Sequence, residues 1–168
     1  MWSRLENSSW HTMFNHAPSD YRCPICLAIQ GTEGEGTLIV QSDIFYRDEF
    51  VLGFIGSKSI RGNEGHPLLV PVEHAENLYD LSLEQSHRII EVAQKIAVAL
   101  KETRKCDGVT LVQNNESAGD QHAFHYHLHL VPRFEGDDFH AQLFATYLSS
   151  PLERAPYAAL LREAMKPQ

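Results

Sequence analysis

HYHLHL, residues 125–130, sets three histidines on alternate positions: His125, His127 and His129, with Tyr126, Leu128 and Leu130 between and after them. A chain builds a core without imidazoles, so the row asks for a chemical reason. In an extended strand successive side chains point to opposite faces, and residues i and i+2 stand about 6.6–6.8 Å apart on one face. The pattern therefore predicts a strand over 123–131, with the histidines on one side. Phe124, Tyr126, Leu128 and Leu130 then line the other side and pack on a helix. On such a strand the outer imidazoles lie roughly 13 Å apart, too far for one metal with ~2.0–2.1 Å bonds to nitrogen. At least one of the three must do something else, which favours a catalytic row over a simple metal site.

The rest of the chain supplies the helix and further strands. Residues 82–105 read as one long helix: Ser82 and Gln85 form a capping box, and Ile89, Ala93, Ile96 and Leu100 recur at helical spacing. TLIVQ (37–41), FVLGFI (50–55), PLLVPV (67–72) and GVTLVQN (108–114) read as strands. Between the second and third lies a loop, 56–65, punctuated by Gly56, Gly62 and Gly65. Two weaker helical segments follow residue 138, the second opening at Ser150-Pro151 with proline at the first helical position. Strands around one long helix predict an α+β fold, a mainly antiparallel sheet packed against that helix, with C-terminal helical segments.

Composition narrows the partners. Apolar residues make up 43% and charged residues 21% of a 168-residue chain, as in a soluble single domain. A formal net charge of −8 argues against a nucleic acid polymer, which favours basic faces, while a few local donors can still hold one phosphate. No apolar run approaches the ~20 residues of a membrane span, and residues 1–16 carry no secretory apolar core. The expectation is a cytoplasmic protein without a membrane partner.

Cys23-Pro-Ile-Cys26 leaves two readings open. A redox pair of this kind follows a buried strand and opens a helix, whereas the preceding HAPSDYR is polar. A zinc site needs four ligands, and one such pair supplies two of them. Cys106 has no partner in the sequence and reads as an ordinary thiol.

The run from His125 to Val131 resembles the His-φ-His-φ-His-φ-φ signature of the histidine triad (HIT) superfamily of nucleotide hydrolases and transferases. The stretch 65–82, Gly-His followed by an apolar strand and Pro-x-x-His, is similar to the strand and helix entry of that family. The resemblance covers roughly residues 20–140 and implies an N-terminal extension at 1–19, a HIT domain at 20–140 and a C-terminal helical tail at 141–168 packed on the domain. It implies that His127 attacks the α-phosphorus of a nucleotide and forms a nucleotidyl-histidine intermediate. His129, Asn114, Gln121 and, in a supporting place, His66 would meet the nucleotide or its phosphate. In zinc-bearing relatives the CxxC pair is completed by a histidine after the Gly-His strand and by the first triad histidine. Those positions are His74 and His125, so Cys23, Cys26, His74 and His125 would hold a structural zinc. HIT domains are commonly homodimers, and that too is an implication of the resemblance.

Two positions depart from the family pattern. Gly-Gln-Ser or Gly-Gln-Thr before the triad is replaced by Asp120-Gln121-His122, which puts a carboxylate and a bulkier ring near an anion. The loop 56–65 is expanded, leaving Ser57, Lys58 and Asn63 as candidates for a ribose contact and Lys58 and Arg61 as cations that steer an anion. PRFEGDDF after the triad is similar to members that cleave dinucleoside polyphosphates. The expected activity is hydrolysis of a dinucleoside polyphosphate or nucleoside phosphoramidate, with nucleotidyl transfer or phosphorolysis, or nucleotide binding without turnover, as alternatives. A metalloenzyme ligating through His127, His129 and Glu135 is the rival from another class; it predicts an all-β chain.

Overall fold

The computed structural model describes residues 14–143 and 145–166; most of the N-terminal extension, residues 1–13, lies outside the described residues. In chain order the regular elements are α1 (Pro24–Ile29), β1 (Ile44–Arg47), β2 (Val51–Ile55), β3 (Lys58–Ser59) and β4 (Pro67–Pro71). They continue with α2 (Leu83–Arg104), β5 (Gly108–Gln113), β6 (Leu128–Arg133), α3 (Phe139–Gln142), β7 (Tyr147–Leu148) and α4 (Pro151–Ala164). Five strands form one antiparallel sheet in the order β1-β2-β4-β6-β5, and β3 pairs with β7 in a second, two-stranded sheet. The α+β class and the mainly antiparallel sheet are as expected, and α2 excludes the all-β rival.

Helix α2 begins where the capping box places it: Gln85 N donates to Ser82 Oγ at 3.1 Å, and Ser82 N donates to Gln85 Oε1 at 2.8 Å. It ends at Lys105, which adopts the left-handed conformation at φ 52°. Its apolar stripe, Ile89, Val92, Ala93, Ile96 and Leu100, is buried against Tyr126, Leu128 and Leu130 from the histidine segment. Phe124 departs from the predicted face: its ring meets Tyr21 edge-on, with centroids 5.3 Å apart.

Three expectations are corrected. TLIVQ is not a strand; the first strand is the following IFYR. The amides of Ile39 and Val40 are taken instead by side chains, Thr37 Oγ1 at 3.2 Å and Asp43 Oδ2 at 3.0 Å, so the segment needs no strand partner. The loop 56–65 contains β3, whose partner β7 lies some ninety residues downstream, beyond the reach of local pattern. The histidine strand itself begins only at Leu128. The chain bends at residues 123–125, with His125 N donating to Ala123 O at 2.8 Å and Tyr126 N donating to Ala75 O at 2.6 Å.

Two buried polar links hold the margins in place. Arg154 of α4 forks onto Asp43, Nε to Oδ1 at 2.9 Å and a terminal nitrogen to Oδ2 at 2.8 Å. Arg154 also donates to the carbonyls of Leu38 and Ser149. Burying two charges is tolerated because each nitrogen of this fork donates to an acceptor. At the other margin the carboxylate of Glu76 accepts from His16 N at 2.6 Å and Ala17 N at 3.3 Å, tying residues 16–17 to the domain. No described helix is long and apolar enough to cross a membrane.

Candidate functional site

Cys23 ends an extended stretch and caps α1: Cys26 N donates to Cys23 Sγ at 3.4 Å, and Pro24 takes the first helical turn, where its missing N–H costs nothing. This short helix opens as a redox pair would, but both sulfurs face imidazoles. One ligating atom each from Cys23, Cys26, His74 and His125 lies within 4.8 Å of all the others. The separations are 3.4 Å from Cys23 Sγ to His125 Nδ1, 3.3 Å from Cys26 Sγ to His74 Nδ1, 3.5 Å from Cys26 Sγ to His125 Nδ1, and 3.2 Å between the two Nδ1 atoms. A tetrahedral zinc with its usual bond lengths requires about 3.3 Å between nitrogens and about 3.6 Å between nitrogen and sulfur. The donor set fits zinc.

The hydrogen bonding around these residues points the same way. His125 Nε2 lies 2.9 Å from Pro71 O; a carbonyl only accepts, so Nε2 carries the proton and Nδ1 offers a lone pair to the cluster. A second-sphere carbonyl that fixes the ring of a metal-binding histidine is the common arrangement. Burial pushes the Cys23 thiol up, but the His125 and His74 rings more than reverse this and bring it to about 5. Burial and the adjoining Cys23 sulfur push Cys26 up to about 12. A divalent cation among them would let both sulfurs stand as thiolates.

Immediately beyond lies a cavity of about 600 Å³, within the range of small-molecule sites. Pro24 and Ile25 of α1, together with Ile39, Phe54 and Leu68, supply apolar lining. His66, His127, His129, Asn114, His122 and Lys58 supply polar lining. His127 Nδ1 lies 2.7 Å from His125 O and therefore donates to it. The lone pair of His127 is thus on Nε2. Burial lowers its pKa, keeping the ring neutral at physiological pH.

His66 and His129 form a second relay. His66 Nε2 and His129 Nδ1 are 3.2 Å apart, across paired strands in which Leu68 stands opposite His129. Burial brings His66 down to about 4 and, with the neighbouring His66 and His127 rings, pulls His129 well below the usual value. Both rings are neutral, so one donates to the other. His66 Nδ1 is buried without a partner among the described residues. A buried lone pair is tolerated better than a buried N–H, so His66 donates from Nε2 and His129 carries its own proton on Nε2. Just before His66, Gly65 takes φ +70° against the ring of Tyr157, where a Cβ would overlap that ring.

These rings also make stability depend on pH. An unfolded His66 titrates near 6.5 and the folded one near 4, so the unfolded chain takes up the proton first. Stability is full above pH 6.5 and falls as the pH drops towards 4, by up to about 3 kcal/mol. Chemical denaturation between pH 7.5 and 4.5 measures it, and a slope undiminished in His66→Asn would assign the effect elsewhere.

Other expected site residues divide. Asn114 lines the cavity and donates from Nδ2 to Asp120 O at 3.2 Å, and Asp120 and His122 line it too, so both departures face the ligand space. Gln121 lies behind the site. Its Nε2 donates to Glu76 O at 2.6 Å and its Oε1 accepts from Glu116 N at 2.8 Å, leaving its amide committed to the backbone. Asn63 is fully buried, donating to Pro132 O and Asp137 Oδ2, and is removed from any ribose contact. Arg133 and Asp137 form a two-pronged ion pair at 2.7 and 2.8 Å that shapes the turn after β6. The sequence did not disclose the apolar lining from Pro24 and Ile25; the only signal was proline directly after a capping cysteine.

An antiparallel sheet on one long helix, with a row of neutral histidines opening into a ligand-sized cavity beside a Cys₂His₂ cluster, defines a histidine-triad protein. The model of the HIT domain matches residues 38–136. A curated relative from Bacillus subtilis, Protein hit, is 32% identical over 120 residues, which is 71% of this chain and 77% of that one. A Zn-bound histidine triad family protein from Mycobacterium smegmatis superposes with a TM-score of 0.68 at 30% identity, covering 84% of this chain and 91% of that one. A Hit-like protein from Bartonella henselae, described as involved in cell-cycle regulation, gives a TM-score of 0.72 at 26% identity and covers 89% of this chain and 100% of that one. The chain belongs to the HIT domain family.

Proposed function

We propose that the protein is a nucleotide hydrolase that cleaves dinucleoside polyphosphates or nucleoside phosphoramidates at the α-phosphorus through a nucleotidyl-histidine intermediate on His127. The observation that carries this reading is the bond from His127 Nδ1 to His125 O at 2.7 Å, which leaves Nε2 unprotonated in a neutral ring. A nucleophile needs that lone pair, and a buried ring fixed by a carbonyl does not have to lose a proton to present it. Attack forms the Nε2–P bond while the bridging bond to phosphorus breaks and the leaving group departs. His129 Nε2–H is the donor for a phosphate oxygen or the departing atom, aligned by His66. Water then attacks phosphorus, releases the nucleoside monophosphate and returns the electron pair to His127. Asn114 is the amide available to a phosphate oxygen from β5's end, and Gln121 acts by holding the turn 116–121 in place.

Cys23, Cys26, His74 and His125 would hold the zinc as a closed set of four protein ligands, so its contribution is structural. His125 then serves both sites, with its ring on the metal and its carbonyl on the nucleophile. In a homodimer, the edge strand β5, with Leu111 48% exposed, offers a strand-pairing surface. Its existence is tested by the mass in solution.

Hydrolysis of diadenosine triphosphate in ¹⁸O-water tests the reaction. The reading expects the label in AMP and none in ADP. Label in ADP would mean attack on the β-phosphorus and would overturn it; unlabelled ADP in place of AMP, formed when inorganic phosphate is added, would identify the phosphorylase alternative.

A further inference from the structure

The backbone that leaves β2 is built to present one cation to the cavity. A Cβ at Gly56 would lie 2.7 Å from Leu68 Cδ1 and 3.2 Å from His66 Nε2, so a side chain there would have to displace both, and glycine leaves them in place. The first side chains on this edge are therefore Ser57 and Lys58, both of which line the cavity. Their backbone is clamped from the far end of the chain. Ser149 N donates to Ser57 O at 3.0 Å, Ser59 Oγ donates to Ser149 Oγ at 3.0 Å, and Lys58 stands opposite Leu148 in the β3–β7 pair. Ser149 is in turn held through its carbonyl by the buried Arg154. Ser59 is buried, so by strand alternation Lys58 faces the other way, onto the exposed cavity side. The result is a fixed backbone bearing a side chain that makes no ion pair or hydrogen bond among the described residues.

The charges around the cavity give that lysine a task. His66 and His129, buried in the lining, are held neutral and add no positive charge. Asp120, in the same lining, is a carboxylate and opposes an anion. Lys58 is the sole lysine or arginine in the described lining. The scissile phosphorus belongs beside His127 and His129, so charge-assisted hydrogen bonding to oxygens further along the chain falls to the ammonium.

We propose that Lys58 selects for an anionic leaving group, binding the phosphate chain beyond the scissile phosphorus so that nucleoside polyphosphates are preferred over nucleotides with a neutral leaving group. The proposal rests on His127 as the nucleophile for its kinetic form, and on cavity geometry alone for its binding form.

The kinetic test compares kcat/KM for diadenosine triphosphate and adenosine 5′-phosphoromorpholidate in wild type, K58Q and K58R. The ratio falls about tenfold in K58Q, mainly through KM of the polyphosphate, and K58R recovers most of it. An equal fall for both substrates, or no change in the ratio, overturns the proposal. Calorimetric binding of ATP and AMP separates this from the catalytic reading. Wild type should bind ATP about tenfold tighter than AMP, and K58Q should bind the two alike. If neither substrate turns over yet that preference appears and is lost in K58Q, the inference stands and the hydrolase reading fails. Equal binding of ATP and AMP by wild type, or binding of neither, overturns the inference whatever the turnover.

Discussion

His127→Asn should lower turnover of a diadenosine polyphosphate by roughly 10⁴-fold or more, the scale seen when a covalent nucleophile is removed. Asparagine keeps a side-chain N–H for the carbonyl of His125 but offers no basic nitrogen to phosphorus. The fold should survive, because the ring's hydrogen bond is local and its neighbours Tyr126 and Leu128 remain in the core against α2. The measurement is a steady-state assay alongside AMP binding. AMP affinity within about threefold of wild type with activity abolished separates a chemical role from a loss of the pocket. Activity that persists would remove His127 from the mechanism.

The second large effect concerns the Cys₂His₂ cluster. Cys23→Ala should abolish binding of one zinc per chain and lower the melting temperature by about 10–20 °C, on a loss of about 5 kcal/mol from a site of this kind. Three elements meet there: α1 through Cys23 and Cys26, the end of the β4 segment through His74, and the histidine row through His125. The same loss should weaken AMP binding, because Pro24 and Ile25 line the cavity and His125 O orients His127. His129→Ala should keep its zinc, since that ring belongs to the His66 relay. Metal content by mass spectrometry and thermal denaturation decide the matter. Zinc retained in Cys23→Ala but lost in His129→Ala would reverse the division of labour among the histidines.

The cluster of Cys23, Cys26, His74 and His125 was legible in the sequence, though partly for the wrong geometric reason. A regular strand would have separated His125 from His129 along one face. In the structure the chain bends at 123–125, and His125 turns to the cysteines while the rings of His127 and His129 stay 5.1 Å apart. Helix α2 was legible because its cap and its apolar period are local. β3, β7 and the Asp43–Arg154 pair were not, because their partners are brought together from opposite ends of the chain. Residues 37–41 have the composition of a strand yet are satisfied by Thr37 and Asp43, a competition that apolar pattern does not register. Gln121 matched a family position, but its amide is committed to Glu76 and Glu116, a use that depends on how the 116–121 turn folds back.

The covalent role of His127 is tested most directly by acid-free rapid quench of the enzyme with a diadenosine polyphosphate, followed by peptide mass spectrometry at neutral pH. The account predicts a nucleotidyl adduct on the peptide containing residues 125–130, localised to His127, appearing before product and absent from His127→Asn. Product formation with no adduct at any time, or an adduct on His129 instead, would contradict it.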